Sequence, residues 1–168
     1  MNILRYLAAA VLPASGVFAG ENITYFHDGI PLEGYFETVE NPKGTVVVVH
    51  DWDGLTDYEM DRVNMLASMG YNAFALDLYG RGVRPTNASG AKAESAKLYE
   101  NRYLMLRRTL AGIEQAQTLG DNRIVVIGYC FGGASVLDLL RSGDADLYGV
   151  VGYATFHGDL SSPEETIY

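Results

Sequence analysis

The sequence predicts an α/β fold: a mostly parallel sheet covered by helices on both faces and preceded by an antiparallel hairpin. Three observations carry this. Apolar, β-branched runs alternate with amphipathic stretches along most of the chain, the pattern of successive βα units. The run Thr45 to Val49 is β-branched at every position and apolar on both faces, as a strand buried on both faces requires. Glycine-bearing turns follow three of the runs, at His50 to Gly54, Asp77 to Gly82 and Gly128 to Gly133, where a parallel sheet gathers its functional groups.

The elements follow in order. Met1 to Gly20 has Arg5 as a short positive start, an apolar stretch from Tyr6 to Leu12, and Val17 and Ala19 as small residues before a cleavage point. We expect residues 1–19 to be a secretory signal peptide and the chain to be exported; a buried N-terminal helix or strand is the alternative. Asn22 to Phe26 and Leu32 to Val39 read as strands joined at Asp28-Gly29, a hairpin turn signal. After Thr45 to Val49, Thr56 and Glu59 form a capping box that opens a helix. Its buried face is Met60, Val63, Leu66 and Ala67, and Gly70 closes it. Tyr71 to Leu76 is the next strand. A single long helix is expected from about Ala91 to Leu119, with Tyr99, Tyr103, Leu106, Leu110 and Ile113 as its buried stripe. Gly112 weakens that helix. Arg123 to Ile127 is a strand, Gly132 to Arg141 a helix ended by Gly143, and Leu147 to Ala154 a last strand.

Composition bounds the function. The chain has 168 residues, 48% apolar and 20% charged, which suits one folded domain and excludes global disorder. Acidic residues outnumber basic ones 21 to 12, for a net charge of -9. That argues against a nucleic-acid partner, which needs clustered Lys and Arg. No later stretch approaches the ~20 apolar residues of a membrane span, so no membrane association is expected once residues 1–19 are removed. The single cysteine excludes an intramolecular disulfide and a multi-cysteine metal site. Three histidines leave little for a zinc centre. Neither metal nor cofactor is expected.

Cys130 is the focus. The order strand, Gly128-Tyr129-Cys130-Phe131-Gly132, helix has the form of a nucleophile elbow with Cys in place of Ser. Gly128 and Gly132 leave room where strand and helix approach closely. The helix start directs its N–H groups at the thiolate, and the Phe131 N–H faces a developing oxyanion. The alternative is a small buried hydrophobe. A dinucleotide fingerprint fits less well, because Gly128-x-Cys130 lacks the second glycine. His50, at a strand end, reads as a structural hydrogen-bonding group rather than a catalyst.

These residues, together with Asp77-Leu78-Tyr79-Gly80-Arg81 and the His50 to Gly54 turn, resemble the dienelactone hydrolase family, a Cys-nucleophile branch of the α/β-hydrolase fold. The similarity runs from about Tyr25 to the last residue. It implies hydrolysis of a small carboxylic ester or lactone, with Cys130 attacking the carbonyl. It implies an oxyanion hole from the N–H groups of Trp52 and Phe131. Asp51 stands where the family often has a Glu that pairs with the resting thiol, one methylene longer. Arg81 matches an arginine that holds the substrate carboxylate; a solvated loop arginine is the other reading.

In this fold an acid and a histidine follow the nucleophile. The only later histidine is His157, and Asp144 and Asp146 sit too close before it to supply the family's arrangement. The expectation is therefore an incomplete α/β-hydrolase domain over residues 20–168, truncated at the C-terminal side and inactive alone. Two rival readings remain: a non-catalytic binding protein on the same fold, and a thiol redox sensor. Trapping of an acyl adduct, or a response to peroxide without one, separates them.

Overall fold

The computed structural model describes residues 20–120, 122–144, 147 and 149–153. The expected signal peptide, Asp146 and His157 lie outside these residues. Among the described residues the elements run in the order β1 (Glu21–His27), β2 (Ile30–Glu37), β3 (Thr45–Val49), α1 (Asp57–Ser68), β4 (Asn72–Leu76), α2 (Ala88–Glu100), α3 (Arg102–Leu119), β5 (Ile124–Tyr129), α4 (Phe131–Ser142) and β6 (Gly149–Tyr153). The strands form one sheet in the order β1-β2-β4-β3-β5-β6. The pairs β3–β4, β3–β5 and β5–β6 are parallel. The hairpin β1–β2 is antiparallel and joins the sheet through β2 against β4. This is the α/β-hydrolase-type sheet expected from the sequence.

Local chemistry explains most boundaries. His27 pairs with Ile30, so Asp28-Gly29 is a two-residue loop. Both residues have positive φ, 48° and 76°, the geometry that matches hairpin twist. Thr56 Oγ1 accepts from the Tyr58 N–H at 3.2 Å, and Glu59 returns a carboxylate to the Thr56 N–H at 2.8 Å. The start of α1 is therefore satisfied from both sides.

Alternation along β3 divides the core into two layers. Val47 and Val49 pack with Phe74, Leu76 and residues of α3 and α4. Val48 packs with Ala73, Ala75, Leu55 and Val63 of α1 on the opposite face. Successive strand residues point to opposite faces, so helices must cover both. Gly112 is a packing requirement within a continuous α3: a Cβ there would lie 2.8 Å from Leu76 Cβ. The glycine lets α3 cross β4 closely.

The single long helix is corrected. It breaks at Asn101 (φ -130°, ψ 74°), which ends α2 and caps α3 by accepting from the Leu104 N–H at 3.0 Å. The break resets the helical phase. Leu106, Leu110 and Ile113 are buried as expected, whereas Tyr99 and Tyr103 are 45% and 66% exposed. Helix α3 is then tied to α4: Arg102 makes a forked ion pair with the nearly buried Asp138, with Nε–Oδ2 at 2.7 Å. Thr109 and Ser135 hydroxyls meet at 2.6 Å. These ties fix the helix that begins beside Cys130.

Candidate active site

Cys130 stands between β5 and α4 with φ 49° and ψ -108°. A non-glycine residue there is strained, and such strain persists only where surrounding packing enforces it. The packing is backbone on backbone. A Cβ at Gly128 would lie 2.4 Å from the Gly132 carbonyl oxygen; one at Gly132 would lie 2.4 Å from that of Val49. No larger residue fits either position without moving main chain. The thiol is half-buried.

The end of β3 meets this turn through Asp51. Its Oδ1 accepts from the Trp52 N–H at 2.6 Å and from the Phe131 N–H at 3.3 Å. Two backbone donors from distant segments thus converge on one oxygen, the arrangement an oxyanion hole needs. Trp52, Phe131 and Asp51 lie together, and the Asp51 carboxylate, expected from the resemblance to pair with the thiol, accepts from both backbone donors.

Residues 32–168 match the dienelactone hydrolase family. The chain belongs to that family. A candidate carboxymethylenebutenolidase of Saccharolobus solfataricus is 25% identical over 88% of this chain and 69% of its own. Protein ABHD14A of Danio rerio is 28% identical over 92% of this chain and 56% of its own. Among solved structures, a dienelactone hydrolase-like promiscuous phosphotriesterase from metagenomic libraries superposes with a TM-score of 0.77 at 25% identity. That match covers 88% of this chain and 64% of that one. The chain thus spans a little over half to about two thirds of the length of these proteins.

In this dienelactone hydrolase family member the segment Asp77-Leu78-Tyr79 is a structural node. Asp77 is fully buried. Its Oδ1 accepts from the N–H groups of Tyr79 and Gly80 at 2.9 and 3.1 Å, and its Oδ2 accepts from the Glu33 N–H at 3.0 Å. The Tyr25 hydroxyl donates to the Asp77 carbonyl and accepts from the Asp77 N–H. The hairpin is thereby fastened to the functional end of β4. Arg84 Nη1 lies 3.7 Å from the Asp77 carboxylate and offsets its burial.

Arg81 is 58% exposed, and its Nε lies 3.3 Å from the Glu33 carboxylate. Its guanidinium is held by an acidic neighbour on β2, which orients it and competes with any incoming carboxylate. An open recess of about 820 Å³ lies along α2 and the first residue of α3. It is lined by Lys92, Ser95, Ala96, Tyr99, Glu100 and Arg102. The Tyr99 ring meets Phe131 edge-on at 5.2 Å, so this recess borders the α4 start. Burial, followed by the nearby Cys130 charge, raises the Tyr99 pKa. His50 is the structural hydrogen-bonding group that its strand-end position suggested, joined to Asp51 and Leu78; the contacts of Tyr79 with Trp52 and of Tyr99 with Phe131 link segments remote along the chain and are not legible in sequence. Among the described residues no group of three His, Cys, Asp or Glu is placed to hold a metal ion. No described helix is long and apolar enough to cross a membrane.

Proposed function

We propose that this family member acts on a small carboxylic ester or lactone through an acyl thioester on Cys130. The observation that carries the reading is the convergence of the Trp52 and Phe131 N–H groups on one oxygen position beside a strained cysteine. The thiolate sulfur attacks the carbonyl carbon, and the C=O π electrons move to oxygen, which takes the place of Asp51 Oδ1. Collapse re-forms the carbonyl and expels the alkoxide, which takes a proton to leave as the alcohol. Water then cleaves the thioester, releasing the carboxylic acid and the thiol. The start of α4 lowers the energy of the thiolate through its N–H groups. Arg81 is the proposed contact for an anionic substrate group. The proton-transferring histidine and its acid, which follow the nucleophile in the family order, are proposed to lie outside the described residues. Export through residues 1–19 is part of the proposal, and cell fractionation tests it.

Incubation with p-nitrophenyl acetate followed by intact mass measurement tests the chemistry. One acetyl group per chain on Cys130, and none on Cys130→Ala, is the expected result. Equal nitrophenolate release by both proteins overturns the nucleophile. Sulfenic acid formation with peroxide and no acyl adduct favours the redox-sensor reading. Ligand binding with neither reaction favours a binding protein.

A further inference from the structure

The Trp52 N–H belongs to the same rigid peptide unit as the Asp51 carbonyl, and the two point in opposite directions. Whatever fixes the Asp51 carbonyl therefore aims the Trp52 N–H. Two groups fix it. His50 Nδ1 lies 2.6 Å from the Asp51 oxygen, and the Gly54 N–H donates to the same oxygen at 3.1 Å. The next peptide is held as well, since the Tyr79 hydroxyl donates to the Trp52 carbonyl at 2.6 Å.

The His50 ring has a single workable proton arrangement. Leu78 N–H donates to Nε2 at 3.1 Å, so Nε2 carries a lone pair. The Asp51 carbonyl can only accept, so Nδ1 carries the proton. The ring is fully buried. It packs against Tyr79 at 4.8 Å and stacks on Phe131 at 6.0 Å. Phe131 supplies the second donor of the pair. One buried ring thus touches the peptide that carries the first donor, the β4 end at Leu78 and the side chain of the residue that carries the second.

We propose that His50 and Tyr79 are positioning residues that preorganise the Trp52 N–H for the carbonyl oxygen of the substrate. This rests on the reading of Trp52 and Phe131 as oxyanion donors. Neither side chain exchanges a proton with the substrate. His50 acts as a fixed donor–acceptor spacer between the β3 and β4 ends, and Tyr79 locks the following peptide. Burial lowers the His50 pKa, which keeps this neutral form through the physiological range.

Two reactions of the same thiol test the proposal. Acylation by p-nitrophenyl acetate develops negative charge on oxygen. Disulfide exchange with 4,4′-dithiodipyridine does not. In the full chain, His50→Leu should slow acylation on the order of 100-fold, the usual effect of losing one oxyanion donor, while changing disulfide exchange less than about threefold. His50→Gln offers a planar donor and acceptor at similar spacing and should recover most of the acylation rate. Tyr79→Phe removes a single hydroxyl and should slow acylation roughly five- to tenfold with disulfide exchange intact, which keeps the test open if His50→Leu does not fold. The proposal is overturned if the two reactions slow equally in the folded variants, or if acylation is unaffected by either substitution. Unchanged acylation in Cys130→Ala would instead remove the nucleophile reading on which this one depends.

Discussion

Asp51 and Phe131, eighty positions apart, are joined by a hydrogen bond from the Phe131 N–H to Asp51 Oδ1 at 3.3 Å. The carboxylate therefore sits where the proposed reaction needs an empty place. A substrate oxygen must displace it from both N–H groups. Asp51→Ala should raise the rate of Cys130 acylation by p-nitrophenyl acetate, up to about tenfold, since a charged hydrogen bond contributes roughly 1.5–3 kcal/mol before water replaces it. Stopped-flow release of nitrophenolate measures this. A slower reaction in Asp51→Ala would show that the carboxylate assists the thiol more than it obstructs the substrate.

Gly132 reports on the turn itself. Its missing side chain faces the carbonyl oxygens of Val49 and His50 at 2.4 and 2.6 Å from where a Cβ would stand. Gly132→Ala must push α4 away from β3, and overpacking of this kind costs about 1–3 kcal/mol or more. Urea unfolding should show a lower midpoint, and the reaction of Cys130 with esters should slow as Phe131 N–H moves off its target. A fully stable, fully reactive Gly132→Ala protein would mean that the close approach is not required.

His50 gives the fold a pH dependence. Burial disfavours its charged form and lowers its pKa below the ordinary value of 6.5. In the unfolded chain the ring takes up a proton near pH 6.5. Below that pH the unfolded state binds more protons, so stability falls as pH falls, until the lower folded pKa is reached. The slope reaches at most about 1.4 kcal/mol per pH unit. Denaturation midpoints between pH 7.5 and 5 should decline more steeply for the wild type than for His50→Gln. Parallel profiles would count against a buried neutral imidazole.

Arg81 distinguishes substrate classes. If it holds an anionic group, Arg81→Ala should slow reaction with an ester bearing a carboxylate by roughly tenfold, a value kept low because the side chain is mostly exposed and solvent-screened. Neutral esters should react unchanged. Glu33→Gln, which releases Arg81 from its acidic neighbour, should shift the preference further toward anionic esters. Equal losses on both substrate classes after Arg81→Ala would make it a loop residue only.

Much of the arrangement is written in short-range chemistry. The Asp28-Gly29 loop, the Thr56–Glu59 capping box and the left-handed Gly143 (φ 67°) depend on neighbours within a few residues, and each is legible in sequence. So is the glycine-framed Cys130 turn, because Gly128 and Gly132 flank it in the chain. Alternating apolar runs and amphipathic stretches likewise determine the α/β class, since burial on two faces leaves a parallel sheet few alternatives. The helix break at Asn101 escaped, although an Asn can cap as well as continue a helix: α3 lies against the sheet whereas α2 packs chiefly on α3, and that choice is made by packing. Tertiary structure alone decided that Asp51 Oδ1 would bridge Trp52 and Phe131, that His50 would span the Asp51 carbonyl and the Leu78 N–H, and that Arg81 would face Glu33. Each is a contact whose energy depends on distances of a few tenths of an ångström between strand ends, and those distances exist only after the sheet has assembled.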